Sequence, residues 1–219
     1  DQEYLTNYTT RNVIGYLPGE TDSTVYITAH YDHLGMMGTE VYFPGAHDNA
    51  SGTAMVLDLA RHYAREKPHY TLVFLLFSGE EIGMKGSLHY TSHPVFPLEQ
   101  TKFVLNLDLL GSGEAGITVV NGKTHKRAYS LLDSLNETGG YLKSVKARGA
   151  AQNSDHWPFY RKGIPAFFIY TRGAYKAYHN VHDKAEALPL SGYKGLFRLT
   201  TAFIDRLESL QLQTPVSHE

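Results

Sequence analysis

Along this chain, short unbroken apolar runs alternate with stretches in which apolar residues recur every third or fourth position. Residues 71–77, Thr-Leu-Val-Phe-Leu-Leu-Phe, form the clearest run. An apolar run of that length, β-branched and aromatic in part, predicts a strand buried on both faces. Residues 25–29, 103–107, 117–120 and 165–170 predict further strands, and 12–17 a partner strand ahead of 25–29. Between them lie helical patterns. Ala54, Met55, Leu59, Ala60 and Tyr63 follow near-helical spacing from about Ser51, which is placed to cap. A short helix is expected near 87–92, and Ala128, Leu131, Leu132 and Leu135 mark another that stops before Gly139-Gly140. The last, over about 191–210, carries Leu196, Leu199, Phe203, Leu207 and Leu210 on one stripe.

Strands alternating with helices predict an α/β fold, a three-layer sandwich with a mostly parallel central sheet and helices on both faces. No internal repeat, low-complexity tract or linker interrupts the 219 residues, so one domain over 1–219 is expected. The hydrophobic fraction of 42% and charged fraction of 19% are those of an ordinary globular protein. A formal charge of -2 gives no footprint for nucleic acid, and no apolar segment approaches the roughly 20 residues that span a bilayer. Cysteine is absent, so any metal must be held by histidine and carboxylate. The first residue is Asp1 rather than Met, which fits an exported protein after removal of a leader.

In a parallel sheet, ligands bind beyond the carboxyl ends of the strands, and the acidic and imidazole residues gather there. The 71–77 strand runs into Ser78-Gly79-Glu80-Glu81, two adjacent carboxylates that repel each other and are costly to desolvate. They either sit in water, or a cation holds one while the other does proton chemistry. His30 and Asp32 follow the 25–29 strand, Asp108 follows 103–107, and Tyr178-His179 follows 165–170. Asp48 precedes the first helix. Each residue alone has an ordinary explanation, Asp48 as a cap and Asp108 as a turn residue. His33, His62, His69, His89, His93, His125 and His218 are read as surface or core residues. Five residues of ligand type at five separate element ends nevertheless suit a zinc site without thiolate.

With these residues placed, the chain resembles the M28 family of co-catalytic zinc aminopeptidases. The resemblance rests on Ala29-His30-Tyr31-Asp32, on residues 44–52 (Pro-Gly-Ala-His-Asp-Asn-Ala-Ser-Gly) and on residues 78–83 (Ser-Gly-Glu-Glu-Ile-Gly). Asn106-Leu107-Asp108, Ser154-Asp155-His156, Gly163-Ile164-Pro165-Ala166 and Tyr178-His179 with Asp183 continue it in the family's order. It implies an aminopeptidase with two Zn2+ ions, Asp48 bridging them, His30 and Asp108 completing one site and Glu81 and His179 the other. Glu80 takes the place of the general base that moves a proton from a di-zinc-bound water to the leaving amine. Asp32 would hold the His30 ring, and Asp155, His156 and Asp183 would stand behind the ligands or meet substrate. The family also has a cis peptide after the bridging aspartate, here Asp48-Asn49. The substrate implied is a peptide with a free N-terminus, and no lid or protease-associated domain is expected. Trp157, Phe159, Tyr175 and Tyr178 either line a pocket for its N-terminal side chain or are core.

Three other readings use the same residues. A glutaminyl cyclase shares the fold but binds one zinc and releases ammonia. A non-catalytic binding module would lack a ligand or the base, and none is missing here. A carboxypeptidase would need a cationic anchor, for which Arg148, Arg161 and Arg172 are candidates.

Overall fold

The computed structural model describes residues 9–210. The chain enters through β1 (Val13–Leu17) and β2 (Thr21–His30), then makes a small hairpin of β3 (Met36–Met37) and β4 (Val41–Tyr42). A turn over Ala46–Ala50 leads into α1 (Ser51–Tyr63), followed by β5 (Tyr70–Phe77) and α2 (Lys85–Ser92). Next come β6 (Thr101–Leu107), β7 (Ile117–Val120), α3 (Lys126–Gly139) and β8 (Val145–Ala147). The described chain closes with α4 (His156–Arg161), β9 (Ala166–Thr171) and α5 (Tyr193–Arg206). The last helix is shorter than its apolar stripe predicts, because Leu207–Ser209 tightens into a single 3-10 turn that still buries Leu207.

Seven strands form one sheet in the order β1-β5-β2-β6-β9-β7-β8. Its centre is parallel, β5 with β2, β2 with β6 and β6 with β9. β1 runs antiparallel on the edge, and β7 joins β9 antiparallel. The period of two sends alternate side chains to opposite layers. Val25, Ile27, Leu72 and Phe74 face one core with Met55 and Leu59 of α1 and Leu199 and Phe203 of α5. Tyr26, Val73, Leu75 and Phe77 face the other, with Tyr90 of α2 and Phe159 of α4. Helices therefore cover both faces, which is why the central strands read as unbroken apolar runs. Among the described residues no helix is long and apolar enough to cross a membrane.

The register brings the chemistry together. His30, the last residue of β2, lies beside Phe77, and Thr28 lies beside Asn106. Whatever follows β2, β5, β6 and β9 must leave from one edge of the sheet.

Candidate metal centre

Five side chains converge at that edge. The His30 Nε2 atom lies 3.2 Å from Asp48 Oδ1 and 3.3 Å from Asp108 Oδ1. The His179 Nε2 atom lies 3.0 Å from Asp48 Oδ2 and 3.2 Å from Glu81 Oε2. Asp48 thus offers one oxygen to each group. It is delivered by the turn before α1, where the Asp48–Asn49 peptide is cis. Gly45 opens that turn at φ 69°, and a Cβ there would stand 2.5 Å from the Asp48 carbonyl oxygen and 2.8 Å from the His33 ring. No other residue fits at that φ and that spacing.

The donors fit a metal on two grounds. Two donors on a tetrahedral ion with bonds of about 2.0–2.1 Å sit roughly 3.3 Å apart, close to all four separations. The second ground is protonation. The His30 Nδ1 atom is 3.1 Å from the carbonyl oxygen of Asp32, which only accepts, so Nδ1 carries the hydrogen. Nε2 is then the atom turned on two carboxylate oxygens, and this buried trio needs a positive charge between them, a metal ion or, without one, a proton on Nε2. Asp108 Oδ1 is correspondingly buried without a hydrogen-bond partner among the described residues. Burial alone would lower the pKa of His30, but the Asp108, Asp32 and Asp48 carboxylates outweigh it and hold the ring well above its usual value.

Glu80 stands apart from the ligands, half-buried in a cleft of about 250 Å3 lined also by Asp48, Glu81, Asp108, Arg148 and Tyr178. Burial, with Asp155 and Asp108 nearby, pushes its carboxyl up to about 9 against the pull of His30. Tyr178 covers the cleft, its ring stacked on His179 at 3.9 Å, and burial beside the carboxylates pushes its hydroxyl up to about 12.

The supporting residues depart from expectation in detail. Asp32 holds His30 with its backbone carbonyl; its carboxylate is 3.7 Å from Nδ1 and instead accepts the Glu80 N–H at 3.1 Å and the Glu81 N–H at 3.3 Å. It therefore positions the glutamate pair. Asp183 accepts the backbone N–H of His47 at 2.9 Å and of Asp48 at 3.1 Å, fixing the residue that both donor groups share. Behind Asp108 the contact comes from Ser154, whose hydroxyl donates to Oδ2 at 2.9 Å, and not from Asp155 or His156. Asp155 is wholly buried on Ser87 at 2.5 Å, and burial pushes it up to about 7. His156 packs its ring on Phe168, its nitrogens without a well-formed hydrogen bond among the described residues, and burial pulls it down to about 4. Among the described residues neither hydrogen-bonds to His30, Asp48, Glu81, Asp108 or His179, and neither lines the cleft.

Tyr175, expected to meet substrate, donates its hydroxyl to Asp183 at 3.0 Å and sets its ring edge-on to His47. Phe159 is core between Tyr26, Phe77 and Tyr90, and Trp157 lies on Tyr160. Ser51 is not the cap; Asn49 accepts the Gly52 N–H at 2.9 Å, while the Ser51 hydroxyl donates to the His47 carbonyl.

The profile of peptidase family M28 matches residues 12–204. The chain belongs to this family. It is 30% identical to aminopeptidase YwaD of Bacillus subtilis over 214 residues, 91% of this chain and 45% of that protein. A zinc aminopeptidase structure from Bacillus subtilis superposes with TM-score 0.78 at 26% identity, over 97% of this chain and 53% of that one. The structure of a glutaminyl cyclase from an Acidobacteriales bacterium reaches TM-score 0.78 at 20% identity, over 90% of this chain and 73% of that one, which shows the shared fold alone. The chain spans about half the length of the curated relatives it matches.

Within this M28 site, the reading of the histidines as ordinary residues fails at one position. His33 Nδ1 lies 2.8 Å from Glu81 Oε1, with the ring 8% exposed. Its position three residues beyond His30, after Asp32, is the only signal that pointed there. His62, His69, His89 and His93 are at the surface, His125 is half-buried among aromatic rings, and His218 lies outside the described residues. Of the three arginines, Arg148 lines the cleft. Arg172 donates instead to the carbonyls of Ala115 and Ile117, and Arg161 is exposed at the end of α4.

Proposed function

We propose that this chain carries the hydrolytic site of a zinc aminopeptidase holding two ions, one between His30, Asp48 and Asp108 and one between Asp48, Glu81 and His179. The observation that carries this reading is the sharing of Asp48 by two donor groups, with a free carboxylate, Glu80, beside them in the cleft. Zinc held there supplies Lewis acidity and a water acidic enough to attack near neutral pH. Once cations offset the neighbouring carboxylates that help to keep it protonated, Glu80 would ionise, take the proton of the attacking water and return it to the leaving amine. Asp32 keeps Glu80 at that position through its backbone N–H.

The test is a panel of aminoacyl anilides assayed with metal-stripped protein across a zinc titration. Release of amino acid that saturates at two zincs per chain supports the reading; one zinc with ammonia released from N-terminal glutamine points to the cyclase instead. Glu80→Gln should keep both zincs and lose a factor of about 10²–10⁴ in kcat. Full turnover in that variant with metal retained removes Glu80 from its role.

Arg148 in the cleft favours a second reading, capture of a substrate carboxylate as in a carboxypeptidase. Peptides acetylated at the N-terminus and free at the C-terminus separate the two, since an aminopeptidase leaves them intact.

A further inference from the structure

The two oxygens of Glu81 are already divided. Oε2 faces His179 at 3.2 Å, a separation suited to two donors on one ion. Oε1 faces His33 Nδ1 at 2.8 Å, shorter than any ligand-to-ligand distance in the site and typical of an N–H···O hydrogen bond to a carboxylate. The carboxylate only accepts, so Nδ1 bears the hydrogen. His33 Nε2 is buried and has no hydrogen-bond partner among the described residues. That suits a bare lone pair better than a second N–H. The ring has little freedom to move, since it lies against Gly45 at the start of the turn that delivers Asp48.

We propose that His33 is a positioning residue of the metal centre: its Nδ1–H occupies Oε1 of Glu81, so that Glu81 meets its ion through Oε2 alone. This rests on the two-ion reading above. A glutamate free on both sides would rotate and bind through both oxygens, filling a coordination position that water or the substrate amine would otherwise take. Held at Oε1, it presents one oxygen in a fixed direction, and the hydrogen bond removes the entropy cost of fixing it when the ion arrives. His33 also groups with Asp48 and Glu81 as a possible ligand, but with the Nδ1 hydrogen spent on Oε1 it acts through Glu81 and not on the ion itself.

The experiment compares the parent with His33→Ala and His33→Asn, the asparagine amide being able to occupy the place of Nδ1. Zinc affinity of each site is read by competition with a chromophoric chelator, and Co2+-loaded protein gives an absorption spectrum as a second readout. The expected result is a 10- to 100-fold loss of affinity at one of two sites in His33→Ala, with a changed Co2+ spectrum and the other site unaltered. His33→Asn should recover most of that loss. Unchanged affinity and spectrum in a folded His33→Ala, with two ions bound, would overturn the proposal. So would equal loss in both variants together with one ion fewer per chain, since that marks a direct ligand. A parent that binds no second ion refutes the two-ion reading itself, a separate outcome. Far-UV circular dichroism of the metal-free variants confirms that they fold.

Discussion

Ser154 is the smallest support of the metal centre and one of the most constrained. Its hydroxyl donates to Asp108 Oδ2 at 2.9 Å and accepts from Asn106 Nδ2 at 2.8 Å, while Asn106 Oδ1 takes the Thr28 hydroxyl at 2.7 Å. All four residues are buried, so a chain of hydrogen bonds from β2 through β6 ends on an oxygen of Asp108. Ser154→Ala leaves an amide hydrogen and a carboxylate oxygen without partners, a cost of about 1–3 kcal/mol. Zinc affinity should fall about tenfold or more while Glu80 stays in place, which equilibrium unfolding and chelator competition would measure. Unchanged affinity would show that Asp108 needs no such hold. At this scale the sequence was uneven. His30, Asp48, Glu81, Asp108 and His179 were legible because each follows an element whose period is plain. Ser154 and His33 were not, since a serine or histidine in a loop becomes legible only once distant segments meet. The same holds for Asp32, whose carboxylate went to backbone N–H groups that no spacing rule predicts.

The element that carries His179 has little apolar contact of its own and is held by polar anchors. Residues 172–184 form no helix or strand. Their start is fixed by Glu114, whose carboxylate accepts from the Ala174 N–H and from the hydroxyls of Ser191 at 2.6 Å and Ser112 at 3.0 Å. Their far end is fixed by Asp183 and the Tyr175 hydroxyl. The Ser191 hydroxyl and the Ala174 N–H, with Ser112, hold the Glu114 carboxyl down to about 2. A depressed folded pKa means the anchor acts fully above the ordinary carboxylate range and fails only as pH falls through about 2. It therefore holds at any pH near neutrality. Glu114→Ala should free the segment, with cleavage by trypsin at exposed Lys176 several-fold faster and kcat lowered through displacement of His179 and Tyr178. An unchanged cleavage rate would show that Asp183 alone suffices. The long strands and α1, α3 and α5 were readable because burial imposes period two or 3.6 on them. The β3–β4 hairpin was not, since its two-residue strands are exposed and bury nothing. β8, three residues long, escaped for the same lack of pattern.

Taken across the molecule, the centre concentrates Asp48, Glu80, Glu81 and Asp108 where a parallel sheet ends and water is scarce. Burial raises the carboxyl of Glu81 with Asp48 as the next cause, and raises Glu80 to about 9. Groups whose folded pKa lies above the unfolded one favour the fold fully below the unfolded value, and that contribution is lost as pH rises through the folded value. Metal-free protein should accordingly lose stability from about pH 5 to 9, as these carboxyls are forced to ionise beside one another. Bound zinc reverses the sign, because it neutralises the same charges and binds better as protons leave. At a free concentration 1,000 times its Kd, an ion that binds only the folded chain adds about 4.1 kcal/mol. For a domain of this length that is a rise in Tm of roughly 8–16 °C. Thermal unfolding in chelator and in zinc, at several pH values, measures it. The gap should widen with pH and collapse in Asp48→Asn, which takes a ligand from both groups at once. A Tm that ignores zinc at every pH would mean that no cation holds this cluster, and the repulsion among its carboxylates would then be relieved by retained protons.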